Sequence, residues 1–429
     1  MTNLVDLART LKHSDEITLL RYLNELEDIF EEREPNVLAF VPQDSRFARL
    51  KCECQALLTK HPDPRTRPPL FGVPVGVKDI FHADSFVTRA GSALPYETLQ
   101  GQEAETVSRL RAAGAVIMGK TVTTEFAYFA PGTTRNPHNL EHTPGGSSSG
   151  SAAAVGALIC PLTLGTQTIG SITRPAAFCG AVGYKPTYER ISRAGVIPLA
   201  PSVDHVGLFA TDVAGARLGA SVIVEEWDVN QANNDWHLPR LGIPEGPYLQ
   251  HASVEGLRHL QEVCSKLTSA GIEITTIPAI LDFKDVQSRH NLIVAAEAAR
   301  VHSDWYSRHS SLYQPKTVEL IKQGAAISHT DLKYALRGRA KLRNELTQLM
   351  DDHRVDLWMS PSATGTAPKG LTNTGNPVMN LPWTHSGLPT LSLPSGKGEN
   401  NLPLGMQLAA RFCKDEALFG WVAKIEEVL

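Results

Sequence analysis

With 429 residues, 42% of them hydrophobic and 20% charged, the chain has the composition of a folded globular protein and not of a disordered one. Its 41 basic and 45 acidic side chains leave a net charge of −4, and no basic block is long enough to make a nucleic-acid surface. No apolar run approaches the ~20 residues that span a bilayer, and the N-terminus MTNLVDLARTLKHSDE has neither an apolar core nor a cleavage signal, so no membrane is involved and the cytoplasm is the expected location.

Asp15 to Arg33 has the period of an amphipathic helix, with Ile17, Leu20, Leu23, Leu26 and Phe30 on one face and Ser14 available as a cap. A second helical stretch covers Ser45 to Leu58, and the proline- and charge-rich His61 to Pro69 is a connecting loop. Val73, Val75 and Val77 alternate through LFGVPVGVKDIF and predict a strand with Lys78 and Asp79 at its end. Then follow a helix at Glu105 to Ala113, a short buried strand at Ala115 to Gly119, and a helix from Thr121 to Phe126. Asn136-Pro137 is a turn signal. Sheet segments are predicted at Val182 to Ile191 and Val196 to Ala200, a helix at Thr211 to Val224, and a loop at Glu225 to Trp236. Beyond it come a strand at Arg240 to Pro244, a helix at His251 to Ala270 and a strand at Ile272 to Ile277. Helices at Val286 to His309 and Thr330 to Asp351, strands at Val355 to Pro361 and Gly387 to Pro394, and a helix at Lys414 to Leu429 complete the chain. Helices alternate with short apolar strands almost throughout, the pattern of an α/β layer fold. No repeat or clear linker divides it, so residues 1–429 are expected to form one domain.

Between Thr143 and Pro186 lie two clusters of glycine and serine, Gly145 to Ser151 and Gly165 to Pro175. Such loops bind phosphate, allow close packing, or present a serine nucleophile among backbone N–H groups. The phosphate reading lacks both the GxxxxGK[ST] lysine and the GxGxxG spacing. The nucleophile reading needs a base. There are 15 histidines, but none lies in the two loops, and the nearest, His142, is just upstream. A neutral lysine serves in Ser–Lys arrangements. Lys78 is the candidate, either as a desolvated base or as a lysine whose stem packs while its amine reaches water. The six cysteines (Cys52, Cys54, Cys160, Cys179, Cys264 and Cys413) lack the paired spacing of a zinc site, so no metal is expected.

These segments carry a resemblance. GVPVGVKD, RNP, TPGGSSSGSAAAV, LGTQTIGS, RPAAFCGAVGYKPTYERIS, SVDHVGLFATDV, TGNPVMNLPWTHSGLPTLSLPSG and LPLGMQLAAR are similar to the motifs of the amidase signature hydrolases, over nearly the whole chain. The resemblance implies a central mixed β-sheet sandwiched between layers of α-helices, and no cofactor. It implies a Ser–cis-Ser–Lys triad on Ser171 as nucleophile, Ser147 as bridging serine and Lys78 as base. The N–H groups of Thr168, Ile169, Gly170 and Ser171 correspond to the oxyanion hole. Gly146 and Ser148 flank Ser147 and are expected beside the substrate, with Gly146 and Thr166 supporting the loops.

The chain departs from the GTDTGGSIR of many relatives by carrying Gln167, Ile169 and Thr173, with its arginine one place later as Arg174. In this loop it is similar to bacterial malonamidases, where the arginine holds a substrate carboxylate; the alternative is that Arg174 pairs with an acid of the fold. The resemblance implies hydrolysis of a small carboxamide to an acid and ammonia or an amine. A carboxylate-bearing amide, malonamate-like or allophanate-like, is the narrower expectation. The alternatives are a glutamine-hydrolysing subunit of an aminoacyl-tRNA amidotransferase and a non-catalytic amidase-like scaffold. No motif in Glu225 to Leu349, where the family varies, fixes a ligand, and a homodimer is a family-level expectation.

Overall fold

The structure, a computed structural model, describes residues 3–232 and 234–429; Met1, Thr2 and Asn233, the last inside the expected Glu225 to Trp236 loop, lie outside it. Ten strands form one mixed sheet: β1 (Pro74–Lys78), β2 (Val116–Thr121), β3 (Leu162–Gln167), β4 (Val182–Lys185), β5 (His205–Ala210), β6 (Leu241–Glu245), β7 (Ile274–Pro278), β8 (Leu357–Pro361), β9 (Thr390–Lys397) and β10 (Pro403–Ala409). Their spatial order is β2-β1-β3-β5-β4-β9-β10-β8-β6-β7. The two flanks, β2-β1-β3 and β8-β6-β7, are parallel, and the middle is antiparallel.

Helices cover both faces. On β8, Leu357 and Met359 belong to one apolar core while Trp358 between them belongs to the other. A strand buried on both sides has no need of polar residues at every second position, which is why β1 is buried along its whole length. Gly150 in the helix Ser149–Gly156 illustrates the close packing of the serine–alanine segment. A Cβ there would lie 2.1 Å from the Ala39 carbonyl oxygen and 2.4 Å from the Val122 nitrogen.

Several expectations are corrected. Thr121 to Phe126 is not a helix: β2 runs through Thr121, and only a 3₁₀ turn at Glu125–Ala127 follows, with Phe126 in the left-handed region at φ +46°. Val196 to Ala200 forms no strand but one isolated bridge, Val196 to Phe81. The Val182 strand stops at Lys185, where Pro186 supplies no N–H for the ladder. The expected helix at Val286 to His309 is two, Phe283–Val301 and Ser303–His309, and the Glu225 to Trp236 loop holds a short helix at Val229–Ala232. Helices Leu4–His13, Pro315–Ala325 and Leu381–Ser386 and strands β3, β5 and β10 had no sequence expectation.

Candidate active site

The chain leaves β1, crosses by the helix Glu105–Ala112 to β2 on one side, and returns to β3 on the other. The carboxyl ends of β1 and β3 therefore flank a topological switch point, where α/β sheets open a crevice for ligands. Lys78 is the last residue of β1, and Thr166 and Gln167 are the last of β3.

Lys78 is wholly buried. Its Nζ donates to Ser147 Oγ (2.7 Å), Thr166 Oγ1 (2.8 Å) and Ser148 Oγ (3.1 Å). Burial holds the amine well below the ordinary lysine range, with the Asp204 carboxylate opposing in part. The reading of Lys78 as a packed stem with a solvated amine is thereby overturned. Losing one proton frees a lone pair, and the closest hydroxyl available to it is that of Ser147. The Gly146–Ser147 peptide is cis.

Ser147 and Ser171 line one narrow cavity together with Thr168, Ile169, Arg174 and Tyr128. Ser171 is 8% exposed, enough to meet a ligand there. Among the described residues the backbone N–H groups of Thr168, Ile169, Gly170 and Ser171 give no hydrogen bond to the protein. The carbonyls of the first three are tied elsewhere. Thr168 O accepts from His290 Nε2 (3.0 Å), Ile169 O from Thr384 Oγ1 (2.7 Å), and Gly170 O from the Arg174 N–H (3.1 Å). With the oxygens held outward, the loop has a row of unspent donors, a backbone nest suited to an anion. Gly170 is required at its position, since a Cβ would lie 2.3 Å from Asn380 Oδ1.

Gln167, where many relatives carry an acid, braces this loop with a neutral amide. Its Oε1 accepts from Ile172 N (2.7 Å) and Thr173 N (2.9 Å), and its Nε2 donates to Thr384 Oγ1 (2.9 Å). Asp204 does the same from β5's side, accepting from Thr168 Oγ1 (2.6 Å) and from the N–H groups of Leu199 and Ala200 (2.9 Å each). His290 is in turn bonded Nδ1 to Nδ1 with His385 at 3.3 Å. Because a carbonyl only accepts, His290 carries its proton on Nε2, so its Nδ1 accepts and His385 Nδ1 donates. Burial pushes both rings down, His290 to about 3 and His385 to about 2, so both are neutral at physiological pH. Asp204, His290, Thr384 and His385 were not among the expected site residues. Asp204 and the pair Thr384–His385 lie within quoted motifs, SVDHVG and LPWTHSG, whereas nothing in the sequence marks His290.

Two expected substrate-binding residues are placed differently. Ser148 is fully buried and turned away from the cavity, donating to Thr166 O (3.1 Å) and receiving Lys78 and the Thr166 N–H. Gly146 presents its carbonyl to Arg174 Nη2 (2.7 Å) and does not line the cavity. Arg174 does line it. Among the described residues it meets no acid: its other partners are Gly375 O (2.9 Å) and Thr374 Oγ1 (3.3 Å), and its Nε has none. Burial pushes the guanidinium down to about 9, which leaves it charged at neutral pH.

A desolvated amine against one serine, a second serine on the same cavity and a row of free amides are the components of acyl-transfer chemistry. The chain belongs to the amidase family: the family model Amidase matches residues 51–419. It is an enzyme of carbon–nitrogen bonds in amides. Among curated proteins it is 30% identical to a glutamyl-tRNA(Gln) amidotransferase subunit from Roseiflexus castenholzii, over 96% of this chain and 92% of that one. A solved amidase is 29% identical with a TM-score of 0.86, covering 99% of both chains. A chain from a vestigial protein complex bearing on the origins of an s-triazine catabolic enzyme is 26% identical with a TM-score of 0.87, covering 100% of this chain and 98% of its own. Among the described residues no helix is long and apolar enough to cross a membrane.

Proposed function

We propose that this single amidase domain hydrolyses a compact, carboxylate-bearing carboxamide through an acyl-enzyme on Ser171. The observation that carries the reading is the 2.7 Å contact from the buried Lys78 amine to Ser147, on the cavity that Ser171 and the free loop amides share. Neutral Lys78 takes the proton of Ser147 while Ser147 takes that of Ser171. The hydrogen bond between the two serines forms as substrate fills the cavity. Ser171 Oγ attacks the carbonyl carbon, and the oxyanion settles on the N–H groups of the Thr168 to Ser171 loop. The proton returns along the same path to the leaving nitrogen, the C–N bond breaks, and water then releases the acid from the Ser171 ester. No step calls for a cofactor. Arg174 supports the acidic acyl group: it is a buried cation on the cavity wall, no carboxylate of the fold neutralises it, and its Nε is unpartnered. Ser171→Ala is expected to abolish ammonia or amine release and labelling by a fluorophosphonate while leaving the folding transition in place. Unchanged turnover in that variant ends the assignment.

The second reading, a glutamine-hydrolysing subunit working with partner proteins in the cytoplasm, is favoured by the names of curated relatives at about the same identity. It differs from the first in needing those partners.

A further inference from the structure

The catalytic cavity is not the only space at the switch point. A second chamber of about 220 Å³ lies against it, and Ala127, Thr168 and Leu199 line both. Its other walls are mostly apolar, from Ile80, Val196, Ile197, Pro198, Pro201 and Val206. Thr166, Arg193, Asp204 and His205 also line it, and Thr166 Oγ1 is 2.8 Å from Lys78 Nζ. At Thr166 the chamber therefore comes within one side chain of the Lys78 amine, the origin of the returned proton. A different chamber, of about 250 Å³, shares Tyr128, Phe129, Ile169 and Pro377 with the catalytic cavity. That one is more polar, with Gln287, Asn291, Gln323 and Asn376 lining it beside Val294, Leu320, Val378 and Leu381.

The two spaces are chemically unlike, and the catalytic cavity touches both. A primary amide releases ammonia, which needs no apolar room. An engineered apolar cavity of roughly 150 Å³ holds benzene, so one of about 220 Å³ has volume for a phenyl ring or a short alkyl chain. Leaving it without an occupant forgoes the gain from burying apolar surface.

We infer that the enzyme takes N-substituted amides, with a compact apolar group on the leaving nitrogen seated in the chamber walled by Val196, Ile197 and Val206. This rests on the acyl-enzyme reading above and narrows its substrate class. The balance is that of any amide hydrolysis: the C–N bond breaks as the Ser171 ester forms, the amine leaves with the returned proton, and water cleaves the ester to the acid. The polar chamber faces the acyl side, where its carboxamides meet hydrogen-bonding groups beyond the Arg174 carboxylate contact.

The experiment compares malonamate with its N-phenyl and N-butyl derivatives, in the full-length chain and in two variants. Val196→Phe fills the chamber and Ile197→Ala enlarges it; neither residue lines the catalytic cavity. In the unmodified chain the N-substituted compounds are expected to be at least about tenfold better in kcat/KM than malonamate. Val196→Phe should lower their kcat/KM about tenfold with malonamate unchanged, and Ile197→Ala should shift preference toward N-phenyl. Malonamate as the better substrate, or a filling variant that slows all three compounds equally, overturns the inference while the acyl-enzyme reading stands. Absence of turnover with all three, together with no fluorophosphonate labelling of Ser171, overturns both.

Discussion

Lys78 puts an amine among three hydroxyls with no access to water, and such burial disfavours the protonated form. The unfolded chain binds that proton up to about pH 10.4, while the folded chain binds it only at lower pH. Stability attributable to this residue is therefore lowest below the folded value and recovered as pH rises toward the unfolded one. Lys78→Met should cut kcat/KM by about 10²–10⁴-fold. By denaturant titration it should be at least as stable as the parent at pH 7, with the difference narrowing toward pH 10. A parent that loses stability over that rise, relative to the variant, would mean that the amine is protonated in the fold. Activity of the parent should fall on the acid side as Lys78 takes up its proton. Arg174 makes a separate prediction. Arg174→Met should lower kcat/KM for an acidic amide about 10–150-fold, the range of a charge-assisted hydrogen bond, with a size-matched neutral amide nearly unchanged. Equal losses on both would confine Arg174 to holding Gly146 and Gly375. At this scale the sequence was informative where chemistry demands a residue type in a motif: Ser147 and Ser171 line one cavity, and Lys78 donates to Ser147 from behind it. It was misleading about Ser148, because two adjacent serines differ only in which way the backbone turns them, and that is set by Lys78 and β3.

The loop from Thr168 to Ser171 owes its shape to elements far from it in sequence. The helix Phe283–Val301 brings His290 to Thr168 O, and the helix Leu381–Ser386 brings Thr384 to Ile169 O and His385 to His290. Such partners do not show in a local pattern, which is why the donors of the loop were legible and the groups that aim them were not. Strands β3, β5 and β10 were missed for a related reason: glycine, threonine and glutamine interrupt their apolar residues, and their pairing comes only with the assembled sheet. The Thr121 to Phe126 error reversed the problem, reading a threonine-rich turn as helix although β-branched residues favour the extended state. His290→Ala leaves the Thr168 carbonyl buried without a donor, at a cost of about 1–3 kcal/mol. The loop then loses its outward tether, and kcat is expected to fall about tenfold, less than the roughly 10²–10³-fold of a lost oxyanion donor, with KM little changed. His290→Gln, which restores an N–H, should recover much of kcat. A variant pair in which both substitutions alter stability alike and leave kcat untouched would reduce His290 to a packing role.

The two functional readings part at the scale of the whole molecule. Both place the same chemistry at the same switch point, so Lys78, Ser147 and Ser171 do not separate them. The difference lies in what the chain requires from outside. With a net charge of −4 and no basic block, it offers little to steer a polyanion toward it. Its sheet is continuous from β2 to β7, with the catalytic cavity lined by residues between Ala127 and Pro377 of this one chain. On the first reading the chain should work when purified alone. The expectation is a homodimer by light scattering. Its acidic-amide hydrolysis should be insensitive to added tRNA and proceed at least about tenfold faster, at equal substrate, than release of ammonia from L-glutamine. A glutaminase subunit would reverse each result: glutamine would be the better substrate, its hydrolysis would rise on adding the other subunits, and the isolated chain would be slow on every amide. The ratio of the two rates, with and without partner proteins, is thus the measurement that assigns the molecule.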